Sequence, residues 1–142
     1  MDVDRLKKQA DAGNLASQTI LGAYYVEGLG VEVDYLRAFH LLSLPAERGV
    51  PRACYYLARL HLEGLGVPAN VPEAVRLFEF AAERGEFFAQ MELARVHARG
   101  KLGSVNRDFA RKWYAAAAAQ EQSLSDCDDE ISEAKSYLAS GQ

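Results

Sequence analysis

Two histidines, His61 and His97, lie 36 residues apart, and Cys54 lies seven residues before the first of them. Imidazole and thiolate groups can bind zinc or act as base and nucleophile. A metal site needs three or four converging ligands, whereas neighbouring helices lie roughly 8–10 Å apart. We therefore interpret both histidines as packed side chains and Cys54 as a buried thiol. We expect no metal site and no catalytic residue.

Two short Gly-Leu-Gly segments, residues 28–30 and 64–66, begin like phosphate-binding loops. A dinucleotide-binding loop follows a strand and contains a third glycine, whereas these segments follow helical patterns. Glycine readily adopts the left-handed conformation just past the end of a helix. We interpret both segments as helix-ending turns and expect no cofactor.

The elements that position these residues repeat along the chain. A fixed period of this size predicts a stack of similar helical units. The positions that recur every 36 residues are glycines, helix caps and small core residues: Gly13, Gly49 and Gly85; Gly28, Gly64 and Gly100; Asp34, Asn70 and Asn106; Ala38, Ala74 and Ala110; Ala46, Ala82 and Ala118.

Each repeat predicts two helices, A and B, joined by a glycine turn. In the first repeat, helix A is expected from about Leu15 to Glu27, because apolar residues recur there at three- and four-residue spacing. Asp34 is expected to cap helix B, which runs to about Arg48 and contains Pro45, where we expect a bend. In the third repeat, residues 102–103 (Leu-Gly) replace glycine and valine, so that turn should differ in shape.

The repeat pattern predicts one repeat domain over residues 1–142. Its parts are an N-terminal partial-repeat helix (1–12), three repeats (13–48, 49–84 and 85–120) and a C-terminal capping helix (121–142). The capping segment holds six acidic residues and one basic residue. Its apolar residues lie on one stripe and its acids on the opposite face, which we expect to contact water; the stripe consists of Leu124, Cys127, Ile131, Ala134 and Leu138. A terminal helix with one polar face covers the apolar end of a stack, so this acidity has a structural explanation.

Bulk composition narrows the class of protein. The 142 residues are 49% hydrophobic and 25% charged, with a net charge of −4, which is typical of soluble folded proteins and argues against nucleic acid as the main partner. No apolar run approaches the ~20 residues that span a membrane. The charged N-terminus does not resemble a secretory signal, and two cysteines without a CxxC pair favour a reducing compartment. We expect a cytoplasmic protein without membrane insertion.

The three repeats resemble the Sel1-like repeat, a relative of the tetratricopeptide repeat. Two departures are His61 and His97, which replace the family's tyrosine, and the altered third turn. The resemblance implies an all-α, right-handed α-solenoid of about eight antiparallel helices, and a bacterial or eukaryotic adaptor. The residues that carry it in the second repeat are Gly49, Ala53, Leu57, Gly64, Gly66, Val67, Ala74, Ala81 and Ala82.

The resemblance also implies where a partner binds, because helix A lines the concave groove of such stacks. Arginine and exposed aromatic residues there favour a partner segment with acidic and apolar residues. In the first repeat the outward positions are Ala16, Thr19, Ala23, Val26 and Glu27. The predicted partner-binding residues are Arg52, Tyr55, Arg59, Leu62, Glu63, Phe88, Met91, Arg95 and Arg99, with Ala98 beside them.

An alternative interpretation is that these arginines pair with Glu63, Glu92 and neighbouring acids, and that Phe88 belongs to the core. The predicted function is a non-enzymatic adaptor or scaffold that binds a protein or peptide. Two other functions stay open: an inhibitor or immunity-type partner of one specific protein, and a hydrolase of the kind suggested for cysteine-rich repeat relatives. The acidic terminal helix could also occupy a neighbour's groove and form a homo-oligomer.

Overall fold

A computed structural model describes residues 2–141, which contain eight α-helices, one short 3₁₀ turn and no strand. The all-α class is confirmed. The predicted N- and C-terminal segments also include Met1 and Gln142, which lie outside the described residues. The helices are α1 (Val3–Asp11), α2 (Leu15–Glu27), α3 (Tyr35–Glu47), α4 (Pro51–Glu63), α5 (Val71–Glu83), α6 (Phe87–Arg99), α7 (Arg107–Ala118) and α8 (Asp128–Ala139).

The predicted caps begin the B helices α3, α5 and α7. The side-chain oxygens of Asp34, Asn70 and Asn106 each accept a hydrogen bond from the backbone N–H three residues later, at 3.0–3.1 Å. A side-chain acceptor at this position satisfies a backbone donor that has no partner within the helix. The polar side chains at the cap position therefore explain why each B helix begins where it does.

The third glycine turn differs from the first two, as expected. Gly30 and Gly66 adopt left-handed backbone angles, with φ of 69° and 74°. Leu102 stands at the equivalent position of the third repeat, and the left-handed angle moves to Gly103, with φ of 106°. Because a residue with a β-carbon disfavours this conformation, the turn shifts to the next glycine.

Contacts divide the chain into two compact units, with the division between Ala81 and Ala82. In the first unit, α1 packs on α2, α2 packs on α3 and α4, and α3 packs on α4. A β-carbon at Gly22 would lie 2.6 Å from Leu42 Cγ, so the contact between α2 and α3 requires glycine there. The fully buried large side chains of this unit include Leu6, Leu42, Leu60 and Phe78.

In the second unit, α6 packs on α7 and α7 packs on α8. Its fully buried large side chains include Met91, Leu93 and Val96 of α6. The terminal helix α8 contributes buried Ile131 and Ala134, which belong to the apolar stripe expected from the sequence. The terminal helix is thus part of the core of its unit. Among the described residues, no helix is both long enough and apolar enough to cross a membrane.

Candidate partner-binding surface

The predicted residues of the second repeat lie along one side of α4. Positions 52, 55, 59, 62 and 63 are three or four residues apart, the spacing that places side chains on one helix face. Arg52 and Glu63 are exposed, Arg59 and Leu62 are half-buried, and Tyr55 is buried. This side of α4 therefore presents a charged surface around a buried aromatic ring.

Arg59 is the centre of a compact group in the first unit, which we call the Arg59 cluster: Arg59, Tyr55, Tyr56 and Glu27. The guanidinium carbon of Arg59 lies 5.7 Å from the centroids of both tyrosine rings. Its Nη1 donates a hydrogen bond to Glu27 Oε1 at 2.5 Å. The two rings contact each other edge to face, with centroids 5.0 Å apart. Cation–π contacts and a charge-assisted hydrogen bond therefore hold this arginine in one orientation.

The electrostatics of the cluster keep Arg59 charged. Burial lowers the pKa of Arg59, but the nearby Tyr55 and the hydrogen bond and charge of Glu27 raise it by more. The net result is a pKa above the ordinary value of arginine. The cluster thus fixes a planar cation at a partly accessible position.

Arg95 occupies the equivalent position in the third repeat, within the second unit, and binds two carboxylates. Its Nε and Nη2 donate to the Glu133 carboxylate at 2.8 and 3.1 Å, and its Nη1 donates to Glu92 at 2.5 Å. The Tyr114 hydroxyl donates to Glu133 Oε2 at 3.0 Å. Glu133 belongs to α8, so the terminal helix supplies a bidentate carboxylate to a predicted partner-binding arginine.

This network shifts the pKa values of its members. The hydrogen bond from Arg95 is the main cause that lowers the pKa of Glu133, and the same bond raises the pKa of Arg95. Burial, and then the hydrogen bond to Glu133, raise the pKa of Tyr114. Glu133 is therefore ionised and Tyr114 is neutral near pH 7. The alternative in which these arginines pair with neighbouring acids is confirmed for Arg95 with Glu92, and Arg59 also pairs with an acid, Glu27.

Two predicted partner-binding residues are not at the surface. Tyr55 is 8% exposed and Met91 is 0% exposed, so the expectation that they face outward was wrong. The centroid of the Tyr55 ring lies 6.1 Å from that of Phe78 in α5, so Phe78 helps to shield the Tyr55 ring from water. The flexible, unbranched Met91 side chain belongs to the core of its own unit.

The same correction applies to part of the first repeat. Thr19, Ala23 and Val26 of α2 are buried rather than outward-facing. Within the first unit, α4 packs on α2, which explains why residues on one side of α2 lose contact with water. Ala16 and Glu27 are exposed, as expected.

The remaining predicted residues of the second unit keep some exposure. Arg99 is exposed, and Phe88 and Ala98 are half-buried. The Phe88 ring contacts Phe87 edge to face, with centroids 5.1 Å apart. Phe88 is therefore not a fully buried core residue.

Glu133 is the residue that the sequence analysis missed. It lies beside the predicted inward stripe of α8 rather than on it, and α8 lies beyond the 36-residue repeats. From the sequence, Glu133 was assigned with the other acids of this helix to the face that contacts water. No signal within the repeats identifies it, because the half-buried position of Arg95 and its approach to α8 are set by the fold.

The other candidate residues for chemistry are packed. Cys54 is buried, with Sγ 3.6 Å from the Ala46 carbonyl oxygen, and neither cysteine forms a disulfide. The His97 ring stacks on Phe109 at 5.0 Å between centroids. Within residues 2–141, no three or more His, Cys, Asp or Glu side chains are grouped so that they could hold a metal ion.

Comparisons with known proteins agree with this architecture. The family model for the Sel1 repeat matches residues 15–50, 51–86 and 88–121. The chain is 32% identical to a Sel1 repeat protein from Oxalobacter formigenes, with 98% of each chain covered and a TM-score of 0.73. A protective antigen of uropathogenic Escherichia coli that displays an SLR fold is 25% identical over 96% of this chain and 32% of its own, also with a TM-score of 0.73. No curated protein gave a significant match.

These matches confirm the resemblance drawn from the glycine, alanine and cap positions. The three matched segments together cover most of the chain. The structural relatives confirm the α-solenoid class that the repeats predicted. The chain therefore belongs to the Sel1 repeat family.

Proposed function

We propose that this protein is a non-enzymatic adaptor that binds an acidic, apolar segment of a partner protein through the exposed side of its A helices. Sel1 repeats typically serve as protein-interaction scaffolds, which supports this class of function. The observation that carries the proposal is the Arg59 cluster, in which two tyrosine rings and one carboxylate orient a partly accessible guanidinium.

The cluster has the composition of a binding hot spot. Tyrosine and arginine are enriched among the residues that contribute most to interface affinity. A guanidinium carries five N–H donors, so a partner carboxylate can bind Arg59 beside Glu27 or replace it. Since Arg59 is already oriented, its side chain loses less conformational entropy when a partner binds it.

The surroundings of the cluster favour a segment with both acidic and apolar residues. Exposed Arg52 adds a second positive charge, and half-buried Leu62 adds apolar area on the same side of α4. In the second unit, Arg99 and Phe88 offer the same combination, whereas Arg95 is held by Glu92 and Glu133. We propose Arg52, Arg59, Leu62 and Glu63 as the contact residues of the first unit, and Phe88 and Arg99 as those of the second unit.

Two cysteines that form no disulfide fit a reducing compartment, which supports a cytoplasmic location.

Selection from a random-peptide display library tests the binding function. The purified protein should enrich peptides that combine Asp or Glu with apolar residues. The Arg52→Glu variant should lose most of this enrichment, because it reverses a charge on the proposed surface.

The matched control is Arg5→Glu, which makes the same charge change at an exposed position of α1. It should enrich the same peptides as the unchanged protein. Failure to enrich any peptide motif, or equal enrichment by the Arg52→Glu variant, would show that this side of α4 does not bind partners.

A further inference from the structure

A row of exposed side chains lies along one face of α3, in the first unit. Leu36 and Leu44 are 57% and 39% exposed, and His40 between them is exposed too. These positions are four residues apart, the spacing that places side chains in a row on one helix face. We call them the α3 stripe. Ala38 and Leu42, on the opposite face, are fully buried, so α3 packs on its own unit through that other face.

The repeat fold does not require leucine in this row. The stripe corresponds to Pro72, Arg76 and Phe80 in the second repeat and to Asp108, Lys112 and Ala116 in the third. The helices α5 and α7 therefore form with other residue types at the same positions. Within residues 2–141, four of the seven large apolar side chains that are exposed lie between positions 29 and 44. Exposed apolar side chains that gather in one region indicate an interaction surface.

The surface along the stripe is both hollow and projecting. A shallow depression of about 430 Å³ is lined by Asp34, Leu36, Arg37, His40 and Leu41. Packed helices insert side chains of one helix into such hollows on the other. Leu44 lies one turn further along α3 and projects from the same face. The stripe thus offers both a hollow that can receive a leucine and a leucine that can enter one, which suits an identical helix.

The charges beside the stripe are also self-complementary. Glu32 lies eight residues before His40 and Arg48 lies eight residues after it, and both are exposed. When two identical helices pack antiparallel about a two-fold axis at His40, positions equally far before and after it face each other. Leu36 then faces Leu44 of the second copy, and Glu32 comes near Arg48 of the second copy. Each contact occurs twice, and each charged contact joins opposite signs.

We propose that α3 is a dimer surface that binds α3 of a second copy of this chain in antiparallel orientation, with Leu44 of each copy in the depression of the other and Glu32 paired with Arg48. A single pair of helices buries less area than a standard interface, so the dimer is weak, with a Kd of about 10–100 μM. The contact uses α3 and the adaptor surface uses α4, so the two proposals stand independently.

Sedimentation velocity over a series from about 1 μM to about 1 mM tests the dimer, and the unchanged protein should shift from monomer to dimer within it. Leu36→Glu should weaken the dimer about thirtyfold or more, because it removes an apolar contact twice per dimer and places a charge there. The matched control is Leu102→Glu, the same change at an exposed leucine of the second unit, which should dimerise like the unchanged protein.

Two results of this series would overturn the proposal. One is a monomer at every concentration, whatever else binds the α3 stripe. The other is self-association that Leu36→Glu leaves unchanged, because the contact would then belong to another surface, such as the acidic terminal helix. Circular dichroism checks that each variant keeps the helix content of the unchanged protein.

An exchange of charges tests the antiparallel pairing. Glu32→Arg and Arg48→Glu should each weaken the dimer about fivefold or more, since each turns two contacts between opposite charges into two between like charges. The double variant, Glu32→Arg with Arg48→Glu, restores opposite charges and should dimerise within about threefold of the unchanged protein. A double variant that dimerises no better than either single variant would overturn this pairing.

Discussion

Arg59 and Arg95 stand at the same position of consecutive repeats, and their side chains are similarly accessible, at 26% and 21%. Arg59 lies over two tyrosine rings and binds one carboxylate. Arg95 binds two carboxylates, one of them from the terminal helix. The difference teaches that a repeat position sets where a side chain lies on its helix, whereas neighbouring elements decide whether a partner can use it.

The strongest test of this difference replaces each arginine with methionine, which keeps much of the apolar stem and removes the charge. Arg95→Met should lower the free energy of unfolding by about 2 kcal/mol, because it leaves the partly buried carboxylates of Glu92 and Glu133 near each other without the cation that they share. Urea unfolding monitored by circular dichroism measures this change in the free energy of unfolding. Arg59→Met is the matched control, at about 1 kcal/mol, because a single carboxylate, Glu27, loses its cation, and the methionine stem can still pack on the Tyr55 and Tyr56 rings. Equal losses of stability in Arg95→Met and Arg59→Met would contradict the difference between the two arginines.

A smaller effect is expected at the hydroxyl that completes the network. Tyr114→Phe removes only the hydrogen bond to Glu133 and should lower the free energy of unfolding by about 1 kcal/mol. In a Glu133→Gln background the same change should cost less, because the charged acceptor is absent. A double-mutant cycle measures this coupling, and a coupling of zero would mean that the hydroxyl and the carboxylate act independently.

The effect of pH separates the ionic contribution from packing. The folded pKa of Glu133 is lowered, chiefly by Arg95, so its stabilising contribution is present above the unfolded pKa of about 4.3. That contribution is lost as pH falls through the folded pKa. The stability difference between the unchanged protein and Glu133→Gln should therefore narrow below about pH 4. A difference that stays constant from pH 7 to pH 3 would mean that Glu133 acts through packing alone.

The repeat body could be predicted from sequence because each signal has a local cause. Caps such as Asp34 and helix-ending glycines such as Gly28 act on their own turn, so the start of α3 and the end of α2 follow from the local sequence. Apolar spacing also placed Ile131 and Ala134 in the core. These interactions join residues that are close in the chain, or that recur with the period.

The candidate site was predicted less completely, for a physical reason. Periodicity shows which side of a helix a residue occupies, but whether that side is buried depends on elements that are distant in sequence. Tyr55 is covered in part by Phe78, and Arg95 is bound by Glu133 from a helix outside the repeats.

The central claim is that Arg59 is available to a partner and that Arg95 is committed to its own unit. The most direct test measures, by isothermal titration calorimetry, the affinity of one peptide selected by the unchanged protein. Arg59→Met should weaken binding about tenfold or more, as expected for a hot-spot arginine, and Arg95→Met, checked for folding, should change it less than about threefold. Equal weakening by both variants, or greater weakening by Arg95→Met, would contradict the account.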